Sequence, residues 1–139
     1  MTAALRAMAR LVNWRDLAED RPSCGTGRAL RSAGAEIVHF HSARSVDLHL
    51  TARAIRRFES DLRHSTAIRL QPGSHWVTVR LECETDIDLL MTLVSAALQA
   101  HQRHPATGDA PFPRCNDRRE ATLAREGGTE DATPRPCVQ

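Results

Sequence analysis

The chain has 139 residues, a net charge of +2 and 41% hydrophobic residues, as expected for one globular domain with extensions. It contains no run of ~18 apolar residues, so the sequence predicts no membrane span. Residues 35–101 carry seven arginines and eight acidic residues. This near-neutral balance argues against nucleic acid as a partner, because such binding depends on neutralising phosphates.

The spacing of the cysteines does not indicate a metal site, and the sequence gives no sign that the protein is extracellular. They are Cys24, Cys83, Cys115 and Cys137, and no two have C-x-x-C spacing. Arg6 and Arg10 interrupt the apolar residues near the N-terminus, so no signal peptide is predicted. We therefore expect a cytoplasmic protein with reduced cysteines.

Residues 1–27 are interpreted as an N-terminal segment made of a helix and a loop. Leu5, Met8 and Leu11 recur at helical spacing and predict an amphipathic helix over residues 3–18. We expect this helix to pack against the domain, although its arginines would also suit a surface-binding arm. Residues 19–27 contain proline and glycine and predict a loop.

The domain is predicted to span residues 28–102 and to begin with strands. Residues 28–31 predict a short strand before a turn at 32–34. Residues 36–41 and 46–50 then alternate apolar and polar side chains, which indicates an antiparallel hairpin.

A helix and a second hairpin follow. Thr51 suits a helix N-cap, and apolar residues at helical spacing predict one helix over 52–63. Residues 66–70 and 75–82 predict two strands. The intervening residues 71–74 suit a type II turn that would join the two strands as a hairpin.

The last predicted element is a helix over residues 86–101. Thr85 begins a capping-box pattern, and the helix is apolar on more than one side. Such a helix needs a second cover, either a neighbouring helix or a second subunit, and we expect a homodimer through residues 86–101. Residues 103–139 are rich in proline and predict a disordered tail.

The predicted fold class is α+β with two layers. An antiparallel sheet built from two hairpins packs against two helices, in the order strand–strand–strand–helix–strand–strand–helix. The N-terminal helix and the disordered tail flank this domain.

Three segments of the domain resemble a known family. They are EIVHFHSARSVDLHLT at 36–51, STAIRLQPGSHWVTVRLE at 65–82 and TDIDLLMTLVSAALQAH at 85–101. Together they resemble the small actinobacterial "luciferase family", or luciferase domain-containing, proteins. The resemblance covers about half of the chain and implies neither a demonstrated activity nor catalytic residues.

The order of elements, with Trp76 opening a strand, is similar to that of the MmcQ/YjbR group. That resemblance implies a double-wing fold with a DNA-binding role. The near-neutral charge of residues 35–101 argues against transferring this role.

Four side chains on one face of the first hairpin are the candidate ligand or metal site: His39, His41, Asp47 and His49. If His41 lies opposite Asp47, then His39 lies opposite His49, and cross-strand neighbours are ~5 Å apart. Imidazoles and a carboxylate can bind zinc or another divalent ion. The alternatives are a solvent-facing polar surface or a register in which the four do not converge.

Arginines on the 52–63 helix form a candidate anion patch of Arg53, Arg56 and Arg57, with Arg63 and Arg69 nearby. The alternative is a solvated helix face on which Arg57 pairs with Asp61 at i, i+4.

No hydrolase, metalloprotease or nucleotide-binding motif is present, so no residue is assigned a catalytic role. Cys83 lies between two glutamates and is a poor nucleophile, and Trp76 is expected to be a packing anchor. We interpret the domain as a non-catalytic binding or regulatory module whose cofactor and small-molecule ligand are unknown. The alternatives are an enzyme or metal-binding protein using the histidine side chains, and a DNA-binding protein.

Overall fold

A computed structural model describes residues 2–25, 27–103 and 115–116. Its strands are β1 (Ala18–Asp20), β2 (Arg28–Ser32), β3 (Ala35–Phe40), β4 (Ser45–His49), β5 (Ile68–Leu70) and β6 (Trp76–Arg80). Its helices are α1 (Ala3–Leu11), α2 (Ala52–Arg57), α3 (Glu59–His64) and α4 (Glu84–Arg103). The predicted α+β class is confirmed. The predicted tail lies outside the described residues, except at Arg103, Cys115 and Asn116.

The six strands form one antiparallel sheet in the order β1-β2-β3-β4-β6-β5. Both predicted hairpins are present, and the turn between β5 and β6 closes through a hydrogen bond from the Ser74 amide to the Gln71 carbonyl. The N-terminal helix ends at Leu11, so the prediction that it continues to residue 18 is wrong. Strand β1, at the edge beyond β2, begins at the last residue of that predicted helix and continues into the predicted loop. Its three residues are too few to show an alternating pattern.

The main hydrophobic core lies between one face of the sheet and helices α1 and α4. Val38, Leu48 and Val77 from the central strands and Leu90 and Val94 from α4 are fully buried there. Burial of side chains of this size contributes ~2 kcal/mol each, so this layer supplies most of the stabilisation.

Helix α1 packs against α4 and provides the second cover, besides the sheet, that the apolar sides of α4 require. Its buried side chains, including Met8 and Leu11, join the core, as predicted for packing against the domain. Arg6 and Arg10 also form ion pairs with Glu84 and Asp88 of α4. Because these side chains are 41–70% exposed, the pairs contribute little compared with the apolar contact. The homodimer through residues 86–101 stays a prediction.

The predicted single helix over 52–63 is two helices, α2 and α3. Thr51 caps α2 as expected, since its hydroxyl oxygen accepts a hydrogen bond from the Ala54 amide at 3.2 Å. The helix breaks at Phe58, whose φ of −105° and ψ of 14° are not helical. Side chains on either side of Phe58 therefore do not follow the i, i+4 spacing of a continuous helix.

Helix α4 begins before the predicted capping box. It starts at Glu84, so Thr85 lies inside its first turn. Asp86 instead provides a hydrogen-bond acceptor for the backbone just before the helix. Its Oδ2 accepts a hydrogen bond from the Glu82 amide at 2.9 Å. A buried carboxylate at this end is also stabilised by the helix dipole. No helix among the described residues meets the length and hydropathy needed to cross a bilayer.

Candidate metal centre

The second face of the sheet is polar but buried. Glu36, His39, Asp47, Trp76 and Thr78 are each at most 8% exposed. The alternative of a solvent-facing polar surface is therefore wrong for these side chains. Burial of so many polar groups costs free energy unless each has a partner.

A β-bulge explains how Glu36 reaches this face. Strict alternation would place Glu36 beside Val38, on the core side. The pairing of β2 with β3 instead shifts register between Leu30 and Arg31, and Ile37 joins Val38 in the core. Glu36 therefore lies on the same face as His39, whose Nε2 is 3.0 Å from Glu36 Oε2.

The hairpin register differs from the one considered in the sequence. His39 pairs with Asp47, and Phe40 pairs with Val46, so His39 does not lie opposite His49. The difference is two residues, which keeps the histidines and Asp47 on their expected face but moves His49 to the other end of the site. His49 stacks on Trp76 with ring centroids 4.8 Å apart.

Four potential metal ligands converge on this face, at the end away from His49. The side chains are Cys24, His39, His41 and Cys115, and their donor atoms all lie within 4.8 Å of one another. Cys24 Sγ is 3.0 Å from His41 Nε2 and 3.9 Å from His39 Nδ1. Cys115 Sγ is also 3.9 Å from His41 Nε2. Tetrahedral zinc with nitrogen and sulfur ligands places neighbouring donor atoms about 3.3–3.8 Å apart. The donor atoms here lie within 4.8 Å of one another, so the cluster would contract by up to about 1 Å to close around an ion.

Glu36 orients two parts of the cluster. Its carboxylate accepts hydrogen bonds from both the backbone amide and the hydroxyl of Ser23, each at 2.6 Å, and so fixes the residue before Cys24. It also accepts from His39 Nε2, which leaves the lone pair on Nδ1 directed at the cluster. A carboxylate behind a ligating histidine is a recurrent feature of zinc sites.

The protonation states suit metal binding. Burial acts to raise the pKa of Glu36, but the hydrogen bonds from Ser23 and the charges of His39 and Arg31 outweigh it, so the pKa is lowered. Burial lowers the pKa of His39 in spite of the neighbouring Glu36 carboxylate. Glu36 is therefore ionised at neutral pH and His39 is neutral, as a metal ligand must be.

Asp47 lies behind His41 rather than among the donors. Its Oδ2 is 3.8 Å from His41 Nδ1, too far for a hydrogen bond but within range of an ion pair. Its Oδ1 accepts a hydrogen bond from the Thr78 hydroxyl at 2.8 Å. Asp47 therefore contributes negative charge beside His41.

Asn116 holds the second cysteine against the sheet. Its side chain is fully buried and donates hydrogen bonds to the Trp76 carbonyl at 2.9 Å and to the Thr78 hydroxyl at 3.2 Å. It also accepts one from the Ser74 hydroxyl. These bonds position the adjacent Cys115, although the sequence assigns both residues to the tail.

The structure therefore brings together only part of the predicted site. His39 and His41 contribute donors, whereas Asp47 lies behind His41 and His49 contacts Trp76 and His101. The two cysteines were missed because they are 91 positions apart, and neither is near another cysteine in sequence. The His-x-His pair was the one local signal, since it places two imidazoles on one face of a strand.

The family comparison covers the central part of this arrangement. Residues 34–97 match the Luciferase domain family. The Luciferase domain segment includes strands β3 to β6, most of α4, and His39 and His41. Cys24 and Cys115 lie outside it, so half of the donor set comes from the flanking chain. No curated protein and no solved structure matches the chain, and the domain match indicates no activity.

His49 provides a test of the electrostatics of the buried face. Burial, followed by the charge of His101, lowers its pKa to about 3. The unfolded chain, with a histidine pKa near 6.5, then binds more protons than the folded chain between about pH 6.5 and 3. Folding stability should therefore fall as the pH falls through this window, and His49 alone should account for about 2 kcal/mol between pH 7 and pH 5.

The variant His49→Phe keeps an aromatic ring against Trp76 but cannot titrate. Urea unfolding of both proteins at pH 7 and pH 5 should show a loss about 2 kcal/mol smaller in the variant. Effects common to both proteins, including metal release by acid, cancel in this comparison. Equal losses in the two proteins would contradict a neutral buried His49.

Proposed function

We propose that the chain is a zinc-binding protein in which Cys24, His39, His41 and Cys115 hold the ion. The observation that carries the proposal is the convergence of these four donor atoms within 4.8 Å. Thiolate and imidazole ligands in this combination select zinc over magnesium and calcium, which take oxygen ligands. Two thiolates also balance the two positive charges of the ion, so the centre adds no net charge to a largely buried site.

The role proposed for the zinc is structural. Four protein ligands complete a tetrahedral site and leave no position for a water molecule or a substrate, in contrast to catalytic zinc sites with three protein ligands. The ion would fasten the loop at Cys24 and the chain at Cys115 to strand β3. This supports a non-catalytic binding or regulatory module whose surface is organised by the metal.

The proposal predicts one zinc per chain in protein purified without a histidine tag. Replacing Cys24 or Cys115 with serine should lower the bound zinc by at least about tenfold after gel filtration, because a neutral hydroxyl is a much weaker zinc ligand than a thiolate. Cys83→Ser is the matched control, since Cys83 lies outside the cluster and contacts Asp86. Elemental analysis measures the zinc.

Two outcomes would contradict the proposal. One is wild-type protein, expressed with added zinc, that retains less than a tenth of an equivalent. The other is the same zinc loss in Cys83→Ser as in Cys24→Ser. Circular dichroism of each variant separates loss of the ligand from loss of the fold.

A further inference from the structure

A cavity of about 340 Å³ lies between helix α2 and the C-terminal part of helix α4. Three arginines line it: Arg53 and Arg57, one turn apart on α2, and Arg103, the last residue of α4. No acidic residue of the described chain lines this cavity. Its volume is within the range of small-molecule sites.

The positive charge of the cavity is not neutralised by the residues that the structure describes. Within residues 2–25, 27–103 and 115–116, the side chains of Arg53, Arg57 and Arg103 form no ion pair or hydrogen bond. The pairing of Arg57 with Asp61, an alternative in the sequence, does not form because the helix breaks between them at Phe58. Arg57 instead lies 5.4 Å from the centre of the Phe58 ring.

The neighbouring arginines have a different environment. Arg56 and Arg63 line a separate cavity on the other side of α2, where Glu59 is also present. Glu59 forms an ion pair with Arg63 at 2.7 Å. The candidate anion patch is thus divided between two cavities. Arg56, Arg63 and Arg69 line one together with Glu59, whereas Arg53 and Arg57 line the other, which has no acidic residue among its described lining.

The rest of the cavity wall fits the organic part of a ligand. Phe58 is 38% exposed, more than the other Phe and Trp side chains that the structure describes, and three alanines from α2 and α4 provide further apolar surface. The Gln99 side-chain amide offers an additional polar group. An occupant should therefore combine a strong negative charge with a small apolar group.

We propose that this cavity binds a small organic phosphate, with Arg53, Arg57 and Arg103 around the phosphate group and Phe58 against the organic part. A phosphate monoester carries up to two negative charges and three terminal oxygens, and the planar guanidinium group matches that geometry with paired hydrogen bonds. The site is independent of the zinc centre, since the two share no residue.

The test is calorimetric titration of the full chain with phenyl phosphate. The variant Arg53→Gln/Arg57→Gln should bind this probe at least about tenfold more weakly, because two charge-assisted hydrogen-bonding groups are lost. Arg56→Gln/Arg63→Gln is the matched control, since it removes the same charge from the neighbouring cavity. It should change the affinity by less than about twofold.

Comparisons between probes define the ligand class. Phenyl phosphate should bind several-fold more tightly than inorganic phosphate, because only the ester has a ring to place against Phe58. Absence of phenyl phosphate binding at millimolar concentration, or equal weakening in both double variants, would overturn the proposal. So would binding only to duplex DNA or to vesicles containing phosphatidic acid, since either result assigns the charge to a polymer or a membrane surface.

Discussion

Removal of zinc with a chelator should lower the free energy of unfolding by about 4 kcal/mol. An ion that binds only the folded chain, at a free concentration about 1,000 times its dissociation constant, contributes this much. The melting temperature should fall by roughly 10–20 °C. The effect is large because the ion joins segments 91 positions apart, the loop at Cys24 and the chain at Cys115, to strand β3.

Differential scanning calorimetry with and without chelator measures this effect. The double variant Cys24→Ser/Cys115→Ser should have the low melting temperature in both conditions, since it has no site to empty. Cys83→Ser should respond to the chelator as the wild type does. A wild-type protein whose melting temperature is unchanged after its zinc has been removed would contradict a structural role for the ion.

Gly27→Ala should be the most damaging single substitution near the metal centre. Gly27 has a φ of +79°, and a Cβ there would overlap the backbone carbonyl oxygen of Phe40 and lie 3.2 Å from the His41 Cα. A backbone overlap cannot be relieved by rotating a side chain. The strand between the two histidine ligands or the loop carrying Cys24 would have to move, so both stability and zinc affinity should fall.

We expect a destabilisation of about 3 kcal/mol or more, combining the strain of positive φ with the overlap. Gly25→Ala is the matched control, because Gly25 has a φ of +82° but nothing within 4 Å of the added Cβ. It should cost only about 1–2 kcal/mol. Urea unfolding and zinc content of both variants measure the difference. Similar values for the two would show that close approach of the loop to β3 is unimportant.

The order and type of the elements in the domain could be predicted from the sequence, because alternation and turn residues were clear. Strands β3, β4 and β6 each place apolar side chains on one face, and Gly73 at a φ of +74° fits the predicted type II turn. The break at Phe58 could not be predicted, since the apolar spacing continues through it. Strand β1 was too short to give a pattern.

The site was harder to predict than the fold because it depends on three-dimensional details. Alternation placed His39 and His41 on one face, but a two-residue change of register keeps that face and so left the position of His49 undetermined. The bulge that turns Glu36 toward His39 has no marker in the sequence. Cys115 lies within a proline-rich segment, and its location became evident only from the contacts of Asn116 with β6.

X-ray absorption at the zinc edge, on the untagged full chain, tests the central claim most directly. The proposed centre predicts a four-coordinate ion with two sulfur ligands at about 2.3 Å and two nitrogen ligands at about 2.0–2.1 Å. Replacement of Cys115 should remove one of the two sulfur contributions or empty the site. A spectrum with only nitrogen and oxygen ligands, or a chain that binds no zinc, would contradict a centre formed by Cys24, His39, His41 and Cys115.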